Sequence, residues 1–344
     1  MSRPGSQIIR GIASSQNRLR GTGLMVDVSI VFRALNEERW FDAALEACKT
    51  QKLDGLTSEI VLVDSGSTDS TLAIAERHDC IIRHIGKSEF TFGRSLNWGC
   101  EAASGKYLVF ISAHCIPTHD RWLQELVQPL VDGVVEYTYG RQLGAEESRF
   151  SEKRLFEKYF PAFDRIPQEG FFCNNANAAI RSDVWERYLF DEECTGLEDM
   201  VLARQIVLDG GKIGYVASAP VIHIHQETFG QTRNRYYREA LTLRTIMPEV
   251  HVTRLDAVRY FLAGSLHDLG AAWKARALFK YLPEIISFRF MQYLGTYRGH
   301  NEHRRLSRAQ KEAYFYPKPP EREGDHPEPA TLASAEQRVA APAE

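Results

Sequence analysis

Ser112, Ala113 and His114 directly follow an apolar run at 107–111, which predicts a buried strand that stops at a polar, turn-forming segment. A strand that stops in this way delivers side chains into the crevice at the carboxyl edge of a sheet, where open α/β sheets bind ligands. Further along the chain, Glu198 and Asp199 open a helical pattern. The strand end therefore predicts a ligand site, and the two acids offer a proton acceptor.

Short apolar strands that alternate with amphipathic helices must position these residues. Strands are expected at 28–32, 59–63, 80–85 and 107–111, and helices at 70–77 and 92–103. Such alternation implies parallel strands joined by right-handed crossovers. The sequence therefore predicts an α/β fold with a mostly parallel sheet flanked by helices.

The pattern becomes less regular after a helix expected at 120–131. The stretch 140–177 shows no clear element, and a long irregular stretch inside an enzyme is usually functional or loosely ordered. A strand expected at 216–225 would place His223 and His225 on one face, because side chains alternate along a strand.

Both ends of the chain differ in composition from its centre. Residues 1–25 are basic, contain Gly and Ser and lack an apolar core, so they predict a flexible arm rather than a secretory signal. Apolar residues at helical spacing predict an amphipathic helical appendage at 251–316. Proline, glutamate and alanine dominate 317–344, which predicts a disordered tail. We expect the main domain to occupy 26–250.

The bulk composition is that of an ordinary soluble protein. The chain has 344 residues, 44% of them hydrophobic and 25% charged, with a formal net charge of -3. That charge argues against nucleic acid as a partner, because phosphate neutralisation needs a basic excess. Six cysteines without a CxxC pair indicate reduced core residues of a cytosolic protein. With no apolar window of about 18–20 residues, we expect a cytoplasmic location.

Several spaced motifs carry a family resemblance. They are 29–38 (SIVFRALNEE), 63–69 (VDSGSTD), 92–97 (FGRSLN) and the pair Glu198-Asp199. In this order they resemble the inverting glycosyltransferases of family 2, and the resemblance extends over 26–248. Rhamnosyltransferase-like bacterial members are the most similar at 64–67 and 112–117.

The resemblance implies a GT-A-type fold, in which a Rossmann-like sheet binds a nucleotide-sugar donor in 26–118 and an acceptor in 119–250. Asp64 would accept a hydrogen bond from the base or ribose, although its loop also reads as a helix cap. The positions that the resemblance assigns to the nucleotide sugar are Arg33, Asn36, Glu37, Asp64, Ser67, Arg94, Asn97, Ser112, Ala113, His114, Arg141 and Asn177.

One departure from the family pattern concerns the metal. Relatives usually carry Asp-x-Asp where this chain has Ser112 and His114, and their carboxylates hold a divalent cation on the diphosphate. We interpret His114, His223 and His225 as metal ligands, because imidazole suits Mn²⁺ or a later transition metal better than Mg²⁺. Mg²⁺, direct contact of the histidines with the diphosphate without a metal, and structural packing remain alternatives.

Two further groups gain a role from the resemblance. Asp199 matches the general base that takes the proton of the acceptor hydroxyl, with Glu198 as its support, although acids also stabilise a helix amino terminus. Arg235 and Arg238 lie where relatives carry a basic segment near the diphosphate or acceptor, and guanidinium groups match phosphate oxygens. A solvated helix face explains these arginines as well.

The leading prediction is a cytoplasmic inverting glycosyltransferase that moves a sugar from a UDP- or dTDP-linked donor to a hydroxyl of a glycan or lipid-linked acceptor in surface polysaccharide synthesis. The basic amphipathic region beyond residue 254 predicts a peripheral contact with the inner face of an anionic membrane; a helical cap or a dimer interface is the alternative. Two other functions stay open: a catalytically degenerate sugar-nucleotide or glycan-binding scaffold, and a nucleotidyltransferase.

Overall fold

The computed structural model of the chain describes residues 26–302, and an eight-stranded mixed sheet lies at its centre. The strands are β1 Val28–Ala34, β2 Ser58–Asp64, β3 Ile81–His84, β4 Tyr107–Ser112, β5 Cys115–Pro117, β6 Tyr137–Gly144, β7 Asn177–Arg181 and β8 Ile213–His223. The helices are α1 Glu38–Lys49, α2 Thr71–Arg77, α3 Phe92–Ala102, α4 Trp122–Val131, α5 Phe150–Tyr159, α6 Ser182–Tyr188, α7 Glu198–Leu208, α8 Phe229–Ile246, α9 Arg254–Lys274 and α10 Leu278–His300. The predicted arm at 1–25, the end of the appendage at 303–316 and the tail at 317–344 lie outside the described residues.

The strands follow the order β3-β2-β1-β4-β7-β6-β8-β5. In the first half of the sheet β1 pairs in parallel with both β2 and β4, and β2 pairs in parallel with β3, as the alternating pattern predicts. In the second half β7 is antiparallel to β4 and β6, β5 is antiparallel to β8, and β6 runs parallel to β8. The prediction of an α/β sheet flanked by helices is confirmed, and its antiparallel pairs lie in the second half.

Helices cover both faces of the sheet, so its central strands are apolar on both sides. One core cluster contains Phe32 together with Phe41 of α1 and Trp122 of α4. The other contains Phe110 together with Leu96 of α3 and Leu202 of α7. This burial explains why 28–32 and 107–111 read as continuous apolar runs.

The register of the parallel strands brings three chemically capable residues to one edge. Ala34 of β1 lies opposite Asp64 of β2, and Arg33 lies opposite Ser112 of β4. The carboxyl ends of these strands therefore meet at the edge where open sheets bind ligands.

In the second half one expectation was wrong and another was correct except for the ends of the strand. The stretch 140–177 contains most of β6, all of α5 and the first residue of β7, and the strand expected at 216–225 runs from Ile213 to His223. Helix α5 escaped prediction because, among its buried side chains, only Phe156 is apolar. His225 lies beyond the end of β8, although it still reaches His223.

Three helices follow β8, and two of them, α9 and α10, lie in the range 251–316 predicted for the helical appendage. Gly295 and Gly299 allow α10 to approach α8, because a Cβ atom at either position would lie within 2.4 Å of the α8 backbone. Asp268 of α9 accepts a hydrogen bond from Arg289 of α10 at 2.7 Å inside the helical layer. None of the helices among residues 26–302 is long and apolar enough to cross a bilayer.

Candidate active site

The loops after β1 and β2 hold each other in place. Asp64 is buried, and its carboxylate accepts hydrogen bonds from the backbone N–H groups of Gly66 and Ser67. Asn36 adopts a left-handed backbone (φ 57°), which asparagine tolerates. Its side-chain oxygen accepts from the backbone of Thr68 at 2.8 Å, and its own N–H donates to Ser67 Oγ. These contacts fix the edge of the predicted donor pocket.

Three histidines meet beside these loops. His114, two residues after β4, stacks on His223 with ring centroids 5.2 Å apart, and the rings of His223 and His225 are 3.9 Å apart. One ring nitrogen of each histidine lies within 4.8 Å of the corresponding nitrogens of the other two. The structure thus brings together the three histidines that the sequence suggests as metal ligands.

The tautomer of His223 follows from its hydrogen bonds. Asn174 Oδ1 accepts from the backbone of Ala176, so Gln142 must present its Nε2 donor to Asn174, at 2.9 Å. Gln142 Oε1 therefore faces His223 Nδ1 at 2.7 Å, and Nδ1 carries the proton. Nε2 of His223 keeps its lone pair, and it is buried without a hydrogen-bond partner among the described residues.

The other two histidines are also held through Nδ1. His225 Nδ1 donates to Glu152 Oε1 at 2.7 Å, and His114 Nδ1 lies 3.0 Å from Glu37 Oε1. Burial opposes a charge on His114, but the nearby Glu37 carboxylate outweighs it and raises the pKa of His114. Burial and the neighbouring His225 and His114 lower the pKa of His223. His223 is therefore neutral beside a more basic His114.

This arrangement fits a divalent cation that prefers nitrogen ligands. Histidine ligands of metals typically hold the other ring nitrogen in a hydrogen bond to a carboxylate or carbonyl oxygen, which sets the tautomer and the ring orientation. Glu37, Gln142 and Glu152 supply that oxygen to the three histidines. The orphaned lone pair of His223 is a further observation in favour of a ligand at this point.

Asp199 lies buried at the start of α7. Its Oδ2 accepts from the backbone N–H of Asn175 at 2.9 Å, and its Oδ1 accepts from that of Met200 at 2.7 Å. Burial, with the negative charge of Glu198 added to it, raises the pKa of Asp199 to about 7. A carboxylate with such a pKa is suited to accept a proton near neutral pH.

Glu198 connects this helix to the first strand. Arg33 Nη1 donates to Glu198 Oε1 at 3.2 Å and to the backbone oxygen of Phe92 at 2.9 Å. The side chain of Glu198 is only 7% exposed, so Arg33 compensates a charge that would otherwise be buried alone. Arg33 thus forms an ion pair with Glu198, the residue expected to support the candidate base Asp199.

A cavity of about 460 Å³ links the histidines with the acidic helix. His223 and His225 line it, as do Leu197 and Met200, which flank the two acids. The hydrogen bonds from His223 through Gln142 to Asn174 end next to Asn175, whose N–H binds Asp199. Two of the candidate metal ligands and the residues that flank the acidic pair therefore line one cavity. Several of its walls are aromatic: Phe156, Tyr159, Phe160, Phe172, Tyr260 and Tyr293.

Asn97 and Arg94 serve the architecture around the cavity. The Asn97 side chain accepts from Trp185 Nε1 and the backbone of Phe190, and donates to the oxygen of Phe190 and to Glu192. Arg94 Nε donates to Glu192 Oε2 at 2.6 Å. The amide of Asn97 is fully occupied, so the structure gives it a role in anchoring the loop before α7.

Asn177 and Ala113 likewise lie in the interior. Asn177 accepts from Trp122 Nε1 at 3.0 Å and donates to the backbone oxygens of Arg141 and Ala219. The methyl group of Ala113 belongs to the buried core. These two side chains hold strands and helices together, whereas the half-exposed Ser112 stays at the open sheet edge.

The two candidate arginines of α8 contact different parts of the site. Arg235 donates to Glu152 at 2.9 Å and to Glu227, so it supports the carboxylate that holds His225. The guanidinium of Arg238 lies 4.8 Å from the ring centroid of Phe92, whose backbone oxygen binds Arg33. Arg235 thus lies beside the carboxylate that holds His225, whereas Arg238 packs against Phe92 near Arg33.

Glu152 is a site residue that sequence reasoning missed. Burial alone would raise its pKa, but the hydrogen bond and charge of His225 and the charge of Arg235 outweigh burial and lower it. No sequence signal could have found it, because α5 was not predicted and Glu152 belongs to none of the family motifs.

The mixed sheet, with the edge formed by β1, β2 and β4 and the acidic pair on the helix before β8, has a GT-A-type fold. Residues 29–189 match the model of glycosyl transferase family 2. The fold is similar to that of mannosyltransferase PcManGT from Pyrobaculum calidifontis, solved with GDP-Man and Mn²⁺. That similarity has a TM-score of 0.53 at 18% identity, over 79% of this chain and 85% of that one.

Two curated relatives are O-antigen chain rhamnosyltransferases. WbaN of Salmonella anatum is 31% identical over 209 residues, which are 58% of this chain and 64% of that protein. RfbN of Salmonella typhimurium is 24% identical over 223 residues, 61% of this chain and 70% of that protein. The chain thus spans less than two thirds of the length of the first relative.

Proposed function

We propose that the protein is an inverting glycosyltransferase that transfers a sugar from a UDP- or dTDP-linked donor to a hydroxyl of a growing glycan. The observation that carries this proposal is the buried carboxylate of Asp199, with a pKa near neutrality, on a helix that lines the same cavity as His223 and His225. The names of the two relatives favour rhamnose as the first sugar to test and surface polysaccharide synthesis as the setting.

Asp199 acts as the general base in this proposal. It takes the proton from the acceptor hydroxyl while that oxygen attacks the anomeric carbon from the face opposite the nucleotide, and the bond to the nucleoside diphosphate breaks. The backbone N–H groups of Asn175 and Met200 hold both carboxylate oxygens in place. Glu198, paired with Arg33, keeps a second negative charge nearby that raises the basicity of Asp199. A single displacement needs no covalent enzyme intermediate.

The donor occupies the edge formed by Arg33, Asp64 and Ser112 in this proposal, with its diphosphate toward the histidines. His114, His223 and His225 would hold a divalent cation there, and Mn²⁺ suits imidazole nitrogen better than Mg²⁺. When bound, such a cation supplies positive charge where the leaving diphosphate gains negative charge.

The acceptor is proposed to be a glycan or a lipid-linked glycan that enters the shared cavity. Its aromatic walls offer flat apolar faces, and the Nδ2 group of Asn174 offers a donor for hydroxyls. The names of the relatives support a polysaccharide chain as acceptor. We propose that the enzyme works in the cytoplasm, at the inner face of the membrane.

A panel of nucleotide sugars tests this function. The protein is incubated with UDP- and dTDP-linked sugars in the presence of Mn²⁺, and release of the nucleoside diphosphate is measured. We expect one donor to be cleaved or transferred. Binding of a donor without any release would instead favour the catalytically degenerate scaffold, and release of pyrophosphate from a sugar phosphate and a nucleoside triphosphate would favour a nucleotidyltransferase.

A further inference from the structure

The hairpin of α9 and α10 carries a continuous apolar surface that the sheet domain does not cover. On α9 five exposed apolar residues follow each other at spacings of three, four and seven positions, which places them on one helix face. They are Leu255, Val258, Leu262, Leu266 and Trp273. On α10 a second such series follows: Phe279, Leu282, Ile286 and Phe290. Phe279 is 86% exposed and Trp273 69% exposed, values unusual for large apolar side chains in a packed helix pair.

The exposed charges of this hairpin share one sign. Between 254 and 300 the exposed ionic residues are Arg254, Arg259, Lys274, Arg276, Lys280 and Arg298. The three acids of the segment are all engaged in contacts within the chain, although Asp256 and Glu284 are partly exposed. Asp256 accepts in the capping box of α9, Asp268 pairs with the buried Arg289, and Glu284 accepts from the backbone of Phe150.

We infer that the α9–α10 hairpin is a docking surface for an anionic phospholipid membrane. Amphipathic helices that lie in the interface place apolar side chains at the acyl boundary and basic side chains among the head groups. The two apolar series and the six cations provide both parts of that interaction. Trp273, next to Lys274, is suited to the interface, where its amphipathic ring is favoured.

Charge argues against a second copy of the chain as the occupant. A symmetric dimer brings the same patch of both subunits together. It would therefore set the six cations of one hairpin against those of the other. The only acids of the hairpin near its surface are the partly exposed Asp256 and Glu284, which are already engaged in the capping box and with the backbone of Phe150. An anionic bilayer, in contrast, gains from every one of these charges.

The docking surface adjoins the proposed active site. An apolar groove of about 440 Å³ on the hairpin is lined by residues such as Phe261, Phe290 and Tyr293. Tyr293 also lines the cavity that contains His223 and His225. A membrane on the hairpin would therefore lie near the entrance used by the acceptor. This functional consequence rests on the proposed glycosyltransferase activity, whereas the membrane contact itself does not.

Vesicle sedimentation with the full chain tests the inference. At low salt we expect the protein to sediment with vesicles that contain phosphatidylglycerol and to remain in solution with pure phosphatidylcholine vesicles. The paired changes Leu262→Glu and Leu266→Glu, and separately Lys274→Glu and Lys280→Glu, should each lower the partition coefficient by about tenfold or more. Leu208→Glu on α7, and Lys87→Glu with Lys106→Glu, are matched controls outside the hairpin and should bind like the wild type.

Trp273 provides an optical readout of the same contact. Its emission should shift to the blue on addition of anionic vesicles, and Trp273→Phe should remove that shift. Absence of sedimentation with anionic vesicles would overturn the inference, as would hairpin variants that bind like the wild type. Emission that is already blue without lipid, together with a dimer mass in solution, would assign the surface to a second copy. Release of nucleoside diphosphate in lipid-free buffer, expected to be equal in all variants, tests the proposed function separately.

Discussion

His223 donates from Nδ1 to Oε1 of Gln142 over 2.7 Å, and this hydrogen bond leaves the lone pair of His223 on a buried Nε2. The orientation of Gln142 is itself fixed, because its Nε2 donates to Asn174. A neutral imidazole with a preset lone pair is the form that binds a transition metal. The arrangement thus gives a physical reason for a metal site in a chain that lacks the Asp-x-Asp pair.

We expect the protein to bind one Mn²⁺ per chain, as measured by calorimetry after treatment with chelator. Gln142→Leu, which removes the acceptor of His223 Nδ1, should weaken binding about 10–100-fold. His267→Ala, at an exposed histidine of α9, is the control and should leave affinity unchanged. Equal Mn²⁺ affinity in the Gln142→Leu and wild-type proteins would exclude His223 as a ligand.

The raised pKa of Asp199 makes stability depend on pH in a defined direction. A carboxyl with a folded-state pKa of about 7 and an ordinary value of 3.8 stabilises the fold fully below pH 3.8 and loses that contribution as pH rises through 7. Between pH 5 and pH 8 the wild type should therefore lose about 2–3 kcal/mol relative to Asp199→Asn. Urea unfolding of both proteins at the two pH values measures this difference. A difference that does not change with pH would show that Asp199 titrates normally.

The substitution Asn97→Ala tests whether Asn97 stabilises the fold or binds the donor. Asn97→Ala leaves Trp185 Nε1 and the Phe190 N–H without their acceptor, which should cost on the order of 3 kcal/mol of unfolding free energy. Affinity for the donor, measured well below the melting temperature, should change little. Asn234→Ala on the exposed side of α8 is the control for stability. A large loss of donor affinity with unchanged stability would return Asn97 to the donor pocket.

Gly140 allows β6 to approach Asn177. A Cβ atom there would lie 2.3 Å from Asn177 Nδ2 and 2.4 Å from the oxygen of Ala219, so Gly140→Ala should cost about 1–3 kcal/mol. Gly270→Ala on α9 meets no atom within 4 Å and should instead stabilise the protein by up to about 1 kcal/mol. Thermal denaturation of the two variants compares them directly, and equal melting temperatures would contradict the close packing.

The first half of the fold could be predicted because its signals are local. Strands buried on both faces give continuous apolar runs, and parallel pairing then places Arg33, Asp64 and Ser112 at one edge. The convergence of His114 with His223 was an inference from a missing aspartate pair, and the structure brings the two rings together. The tautomer of His223 depends on Gln142, which the register of β6 and β8 places next to it.

The second half was harder to predict because tertiary contacts define it. Helix α5 buries mostly polar side chains, so periodicity did not reveal it, and Glu152 was missed with it. Asn97 lies in a family motif, but the sequence could not show that Trp185 and Phe190 occupy its amide. Motif position indicates where a residue lies, whereas its partners determine what it can bind.

The most direct measurement is the rate of nucleoside diphosphate release from the productive donor by the wild type and by Asp199→Asn at pH 8. We expect kcat/KM of the variant to fall about 10²–10⁴-fold, because the acceptor hydroxyl loses its base. Asp209→Asn, at the exposed end of the same helix, should retain the wild-type rate. Wild-type turnover by a correctly folded Asp199→Asn protein would contradict the proposed mechanism.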